Sequence, residues 1–328
     1  MTKRDLCREY LIKFPNTATK TLANIIYNEN ISVFNSSETV RGTLRILRGN
    51  AGVKNKKYKL EEFERPNGVS GNPFNLPESE PTEWIDFIIP ESQKNVLILS
   101  DIHLPYHSME ALNLAIEYGR NHKVDTVVLN GDIIDFYQTS SFVRDPRKKS
   151  FSYELSVYRD FITSLKAALN DPVIYFKQGN HEERYERYMF LKAPELIGVE
   201  EFKLNVLLKF GENNIHYIDK KRIIRLGGLA ILHGHELGRS VFSPVNPARG
   251  LYTRAKENTI IGHHHQTSEH TEPTLSGKVI TTWSTGCLCE LNPDYMPINK
   301  WNHGFANVIR DGKSFEVMNK KIHKGKIF

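Results

Sequence analysis

A largely parallel α/β fold, preceded by a small all-helical module, is predicted by three features of this 328-residue sequence. From residue 95 onward, short apolar runs of strand length alternate with segments of helical period. Five of those runs stop at a cluster of Asp, Asn and His. Before residue 60 the apolar residues recur with a helical period only.

Residues 1–60 hold three helical patterns: Leu6, Tyr10 and Leu11; Leu22, Ile25 and Ile26, after Pro15-Asn16-Thr17; and Val40, Leu44 and Leu47. Asn35 followed by Glu38 predicts a capping-box start for the third helix, and Gly49 its stop. Three short helices with tight connections suit a helix-turn-helix module. Residues 61–93, rich in Pro, Gly, Asn and Ser, read as a linker. The remaining span, 94–328, reads as a second domain.

In that span NVLILSD, TVVLNGD and VIYFKQGN read as strands. The helix after the first runs from Ser108 to Tyr118 and is ended by Gly119. A second helix is marked by Tyr158, Phe161, Ile162 and Leu165 and stops near Asn170-Asp171-Pro172. Residues 193–211 read as a helical insertion beside the pocket. RIIRLGGLAILHG, NTIIGHHH and KVITTWSTG are strand-like, and the C-terminal FANVIRDGKSFEVMNKK predicts a hairpin turning at Asp311-Gly312.

Composition narrows the class. With 39% apolar and 25% charged residues the chain can bury a proper core. No run of about eighteen apolar residues occurs, so a membrane-spanning helix is not expected. The charged N-terminus lacks a signal peptide's apolar stretch, which points to a cytoplasmic protein. Three cysteines, Cys7, Cys287 and Cys289, argue against a disulfide framework; Cys287 and Cys289, one residue apart, read as buried or semi-buried thiols, with a metal role as the alternative. The net charge of +6 is uneven: residues 1–70 hold 13 Lys/Arg against 7 Asp/Glu, and the rest holds 31 of each. Such asymmetry favours an acidic partner such as DNA. Arg41, Arg45 and Arg48 form one face of the third helix, continued by Lys54, Lys56 and Lys57. That face reads either as a nucleic-acid contact or as ordinary solvated surface.

The polar strand ends carry the chemistry. They are Asp101-Ile102-His103, Gly131-Asp132 with Asp135, Gly179-Asn180-His181-Glu182, His233-Gly234-His235 and Gly262-His263-His264-His265. Ligands of open α/β sheets bind at the carboxyl ends of strands. Carboxylate oxygens with imidazoles suit Mn, Fe or Zn. Two residues apart, Asp101 and His103 can face one pocket, as can His263 and His265. The glycines before Asp132, Asn180 and His263 allow tight turns.

This ordered set, D-x-H, GD-x-x-D, GNHE, H-G-H and G-H-x-H, resembles the calcineurin-like metallophosphoesterases over residues 94–320. The resemblance implies a sandwich of two mixed β-sheets flanked by helices, and a phosphate-ester substrate hydrolysed by water activated between two divalent ions. It implies that Asp101, His103, Asp132 and His265 hold the first ion, and that Asp132 bridges to a second held by Asn180, His233 and His263. His181 would be the general acid, with Asp135 orienting it. His264 would point away as a structural residue. Arg184, His107 and His235 are candidate substrate contacts, each with a structural alternative. The N-terminal module is similar to those of phage-type phosphoesterases.

Three functions follow from this reading. One is a phosphodiesterase or nuclease acting on nucleic acid. Another is a phosphomonoesterase of proteins or small molecules, whose N-terminal module docks a partner. The last is a non-catalytic nucleic-acid-binding protein on a phosphoesterase scaffold.

Overall fold

The structure, a computed structural model, describes residues 2–52, 80, 84–143, 145, 147–219, 221–238 and 245–328. The basic tail at Lys54, Lys56 and Lys57 and most of the linker read at 61–93 lie outside the described residues. By contacts the chain divides into two units, Met1–Thr82 and Glu83–Phe328.

The first unit contains α1 (Lys3–Lys13), α2 (Thr19–Glu29) and α3 (Ser37–Leu47). A capping box of Thr2 and Asp5 starts α1. The start of α3 is Ser36, whose hydroxyl accepts from the Thr39 N–H, and not Asn35 as expected. Cys7, Leu11, Leu22, Ala23, Ile26, Phe34, Val40, Leu44 and Leu47 form its core. The basic face of α3 is not uniform. Arg45 is exposed and Arg41 pairs with Glu38 at 2.8 Å. Arg48 instead donates to Thr19 Oγ1 at 2.7 Å and to the Thr17 carbonyl at 2.6 Å, so it ties α3 to the start of α2.

In the second unit two mixed sheets face each other. One runs β13-β12-β11-β2-β3-β4-β5. Its members are β2 (Asn95–Leu99), β3 (Thr126–Asn130), β4 (Val173–Lys177) and β5 (Ile215–Ile218), all parallel, with β11 (His303–Asp311), β12 (Ser314–His323) and β13 (Lys326–Ile327) added antiparallel. The other runs β1-β6-β7-β8-β10-β9. It comprises β1 (Phe87–Ile88), β6 (Ile224–Leu226), β7 (Leu229–Ile231), β8 (Thr259–Ile261), β9 (Ser268–Pro273) and β10 (Val279–Ser284). Strand β1 lies inside the span read as linker, and the adjacent Ile89 is fully buried.

Why the central strands read as unbroken apolar runs is now evident. On β2, Val96 and Ile98 face the other sheet, packing with Ile231, Ile260 and Trp283. Leu97 and Leu99 face outward, under α4 (Met109–Asn121) and α5 (Phe151–Ala168), with Ala115, Phe161 and Leu165. A strand covered on both faces needs no polar side. Gly119 does not end α4. It is buried within the helix, where an added Cβ would stand 2.8 Å from Leu97 Cδ2, so its role is close helix-to-strand packing. The C-terminal turn is one residue later than expected: Asp311 pairs with Ser314, leaving Gly312 and Lys313 in the loop. Residues 193–211 form two short 3-10 turns and α7 (Leu204–Leu207) after α6 (Asn180–Lys192). With α6 they border a cavity of about 790 Å³.

Candidate metal centre

The polar residues that follow β2, β3, β4, β7 and β8 meet at one edge of the sandwich. Parallel strands point their carboxyl ends the same way, so chain-distant residues converge there. Burial is nearly complete: Asp101 and His233 have no exposed surface, and Asp132, His103, His181 and His265 have little.

Asp132 is the centre of the cluster. Its Oδ2 lies 3.3 Å from His233 Nε2, 3.8 Å from His181 Nε2 and 4.0 Å from His103 Nε2. Its Oδ1 accepts from the His181 N–H at 2.8 Å. Asn180 Oδ1 is 3.3 Å from His233 Nε2. Asp101 Oδ1 sits 3.1 Å from His265 Nε2, while Oδ2 accepts from Ser100 Oγ at 2.6 Å and from the His263 N–H at 2.9 Å. Three sets of donor atoms lie close enough to share one ion each: Asp132, His233 and His263; His103, Asp132 and His181; and His103, His265 and Cys289. Thus all seven residues expected to bind metal are brought to one place.

Outer partners aim the imidazoles. His233 Nδ1 donates to the Asn130 carbonyl at 2.8 Å and His103 Nδ1 to Asp135 Oδ1 at 3.1 Å, which leaves each Nε2 free for the cluster. His103 Nε2 is buried and has no hydrogen-bond partner among the described residues, the state of a donor atom that fits a cation. Asp135 therefore serves two histidines, because its carbonyl also accepts from His181 Nδ1 at 2.8 Å.

Electrostatics give the same sign. Burial opposes charge on His233, yet the Asp132 and Asp101 carboxylates outweigh it and push it up to about 10. Against the same penalty, Asp101 pushes His265 up to about 10. Burial and the neighbouring His233 charge press His263 down to about 3. A cluster that draws protons onto buried imidazoles is one that favours added positive charge.

The backbone is strained at these residues. Asp101, His103, Asp132, His263 and His265 all adopt left-handed conformations, with φ of 53–64°. Such a conformation costs a non-glycine residue on the order of 1 kcal/mol and persists where the surroundings enforce it. Of the three glycines expected to provide tight turns, only Gly131 has a positive φ, 82°. Gly179 and Gly262 are there for space. A Cβ on Gly179 would meet Asp132 Oδ1 at 2.4 Å, and one on Gly262 would meet Ser100 Oγ at 1.9 Å and Asp101 Oδ2 at 2.5 Å.

Several supporting residues are given no role by the motifs alone. Glu182, fully buried at the start of α6, accepts from the N–H groups of Gly179, Asp132, Ile133 and Ile134 at 2.8–3.2 Å. It locks the GD and GN turns together, and its acidic place in the first turn of a helix was the available signal. Lys177, fully buried on β4, pairs with Glu236 at 2.9 Å. Glu236 in turn accepts from the His233 and Gly234 N–H groups at 3.1 and 2.6 Å, so the pair sets the His233 loop. Burial works against the Glu236 charge, but Lys177 holds it down at about 2. Cys289 places Sγ 4.0 Å from His265 Nδ1.

The candidate substrate contacts differ. Arg184 donates to the Asp135 carbonyl at 3.0 Å and sits 2.7 Å from His181 Nε2, at the site itself. His235 is bonded to Glu183 at 2.9 Å, at the margin. His107 contacts Met109 Sδ and lies in none of the three donor sets. His264 is likewise outside them, partly buried beside His263.

Known proteins resemble this chain in part. The gene 54 protein of Mycobacterium phage L5 is 26% identical over 235 residues, 67% of this chain and 90% of that protein. Among solved structures, a single mutant of Vps29 from Entamoeba histolytica and vacuolar protein sorting 29 from Cryptosporidium parvum are both 13% identical. They cover 71% and 72% of this chain and 96% and 95% of theirs, with TM-scores of 0.37 and 0.39. The family model for calcineurin-like phosphoesterases matches residues 94–296, more than half of the sequence and the whole of the donor cluster. On that match, the chain belongs to the calcineurin-like phosphoesterase family.

Proposed function

We propose that this protein is a phosphodiesterase or nuclease that hydrolyses phosphodiester bonds of nucleic acid. Metal-dependent phosphoester hydrolysis is the family's chemistry. The observation that carries the narrower reading is the placement of the entire positive excess in residues 1–70, where Arg41 and Arg45 lie on one face of α3. Arg48, committed to the α1–α2 connection, has no part in that contact.

Asp101, His103, Asp132 and His265 would hold one divalent ion, and Asp132, Asn180, His233 and His263 the other. Bound there, Mn, Fe or Zn would supply Lewis-acid stabilisation and an activated water. The chain's own groups do the remainder. Asp135 fixes the rings of His103 and His181. His181 Nδ1 donates to a carbonyl and Nε2 faces the Arg184 guanidinium, so Nε2 is the acceptor in this state. A phosphate entering beside Arg184 competes for the guanidinium and frees Nε2 to take a proton from bulk solvent. From there His181 delivers it to the leaving oxygen, while Arg184 balances charge on the phosphate.

A panel of phosphomonoesters and diesters, with single-stranded and duplex DNA, assayed in Mn, Fe and Zn, tests the reading. Diester cleavage that is lost in Asp132→Ala and His181→Ala is expected. Turnover of monoesters alone would overturn it in favour of a phosphomonoesterase. Neutralising Arg41 and Arg45 together should weaken DNA binding and flatten its dependence on salt; unchanged binding would remove the module from DNA recognition.

A further inference from the structure

We propose that Tyr295 and Trp301 form a stacking platform for a nucleobase attached to the phosphate held at the donor cluster. The proposal rests on the nucleic-acid phosphodiester reading above and adds what that substrate is gripped by.

The two rings stand on a loop, residues 291–302, built without regular secondary structure yet held at many points. Asn292 Nδ2 donates to the Pro297 carbonyl at 2.8 Å. Asn299 Nδ2 donates to the Leu291 and Met296 carbonyls, and its Oδ1 accepts from the Trp301 N–H at 2.8 Å. Asn302 joins the loop to the cluster through its N–H on the His265 carbonyl at 2.9 Å. Lys148 pairs with Asp294 at 2.7 Å and ties the loop to the segment before α5. Side-chain amides that satisfy so many loop carbonyls pre-organise the rings, which lowers the ordering cost of binding.

The rings are placed for a substrate's neighbouring group. Trp301 packs edge-on to His265, with ring centroids 4.1 Å apart, so it borders the donor cluster directly. Tyr295 is 6.3 Å from Trp301 and is 71% exposed. Crowding by the surrounding protein pushes its phenol up, and the charges of Asp135, Arg184 and Asp132 also act on it, which places the hydroxyl end towards the cluster and leaves the rest of the ring outward. An exposed aromatic ring beside a phosphate site, on a loop rigid enough to hold it there, has a face free for a flat π-system. Every base presents such a face, and stacking on aromatic side chains is tolerant of sequence. The loop is bound together by amides and an ion pair, and it also exposes Met296 and Ile298, which would flank a stacked base.

The test compares a single-stranded dinucleotide with the same phosphodiester lacking the bases, using the full-length protein with Mn. Wild-type kcat/KM should favour the base-bearing compound by roughly tenfold or more. In Tyr295→Ala that ratio should collapse towards one, and Tyr295→Phe, which keeps the ring, should retain it. Because Tyr295 is exposed, the substitution leaves the core intact, and an unchanged circular dichroism spectrum checks this. Equal ratios in wild type and Tyr295→Ala would overturn the platform while leaving the diesterase reading standing. If neither compound is cleaved and a phosphomonoester is, the diesterase reading falls and the platform with it.

Discussion

Replacing Glu154 by Gln should stabilise the protein at alkaline pH and leave it unchanged in mild acid. Glu154 sits on α5 with no exposed surface. Its Oε1 accepts from the Tyr137 N–H at 3.2 Å, and its Oε2 is buried with no partner among the described residues. Burial, then the nearby Asp135 charge, pushes the carboxyl from 4.5 up to about 8. The folded protein therefore keeps this proton between those values while the unfolded chain releases it. Stability falls as pH rises from 4.5, and the loss levels off above 8. At 1.36 kcal/mol per unit, the loss is bounded at about 5 kcal/mol, and relaxation with water entry reduces it to about 2–4. Glutamine has the same shape and keeps an acceptor for Tyr137 but carries no charge. Urea unfolding of wild type and Glu154→Gln in chelator at pH 4, 7 and 9 measures the difference, since all shared titrations cancel. The two proteins should match at pH 4 and diverge by several tenths of a molar or more in midpoint at pH 9. Curves that stay parallel across this range would refute the buried, protonated carboxyl.

Glu182→Ala should leave four buried N–H donors without an acceptor and lower stability by about 3 kcal/mol or more, read by thermal unfolding, with loss of metal affinity read by calorimetry. Lys177→Met strands the Glu236 carboxylate and should cost about 3–5 kcal/mol; Lys177→Met with Glu236→Gln should recover a large part of it, and a double variant no better than the single would count against the pair as the organiser of the His233 loop. Gly262→Ala drives a methyl into Asp101 and Ser100, so metal affinity measured by titration calorimetry should drop by tenfold or more while the far-ultraviolet spectrum is kept. Chelator should abolish phosphoester hydrolysis, and restoring divalent ions should return it.

Much of the donor set was readable because its elements are local. Asp101 and His103, or His263 and His265, sit two residues apart directly after an apolar run, so both the strand and its polar end stand out in the linear text. The residues that hold those donors in place have no such mark. Lys177 lies inside what reads as an apolar strand and is explained by Glu236, 59 positions later, and by the Arg222 carbonyl. Glu182 resembles any acidic residue in a first helical turn until four N–H groups converge on it. Arg48 shares the spacing of Arg41 and Arg45, and only its bonds to Thr17 and Thr19 separate it from them. Gly119 reads as a helix stop because glycine has low helix propensity, whereas the contact with Leu97 that it permits is tertiary.

By itself the sequence determined the alternation of strands and helices, the position of each polar strand end and the kinds of donor atom there. Those follow from periodicity and side-chain chemistry, which are properties of neighbours along the chain. The tertiary structure alone decided which donors face one another, which backbone turns are forced into left-handed conformations, and which buried charges stand behind the histidines. Each of these depends on distances between residues from different strands, and no local pattern encodes such a distance.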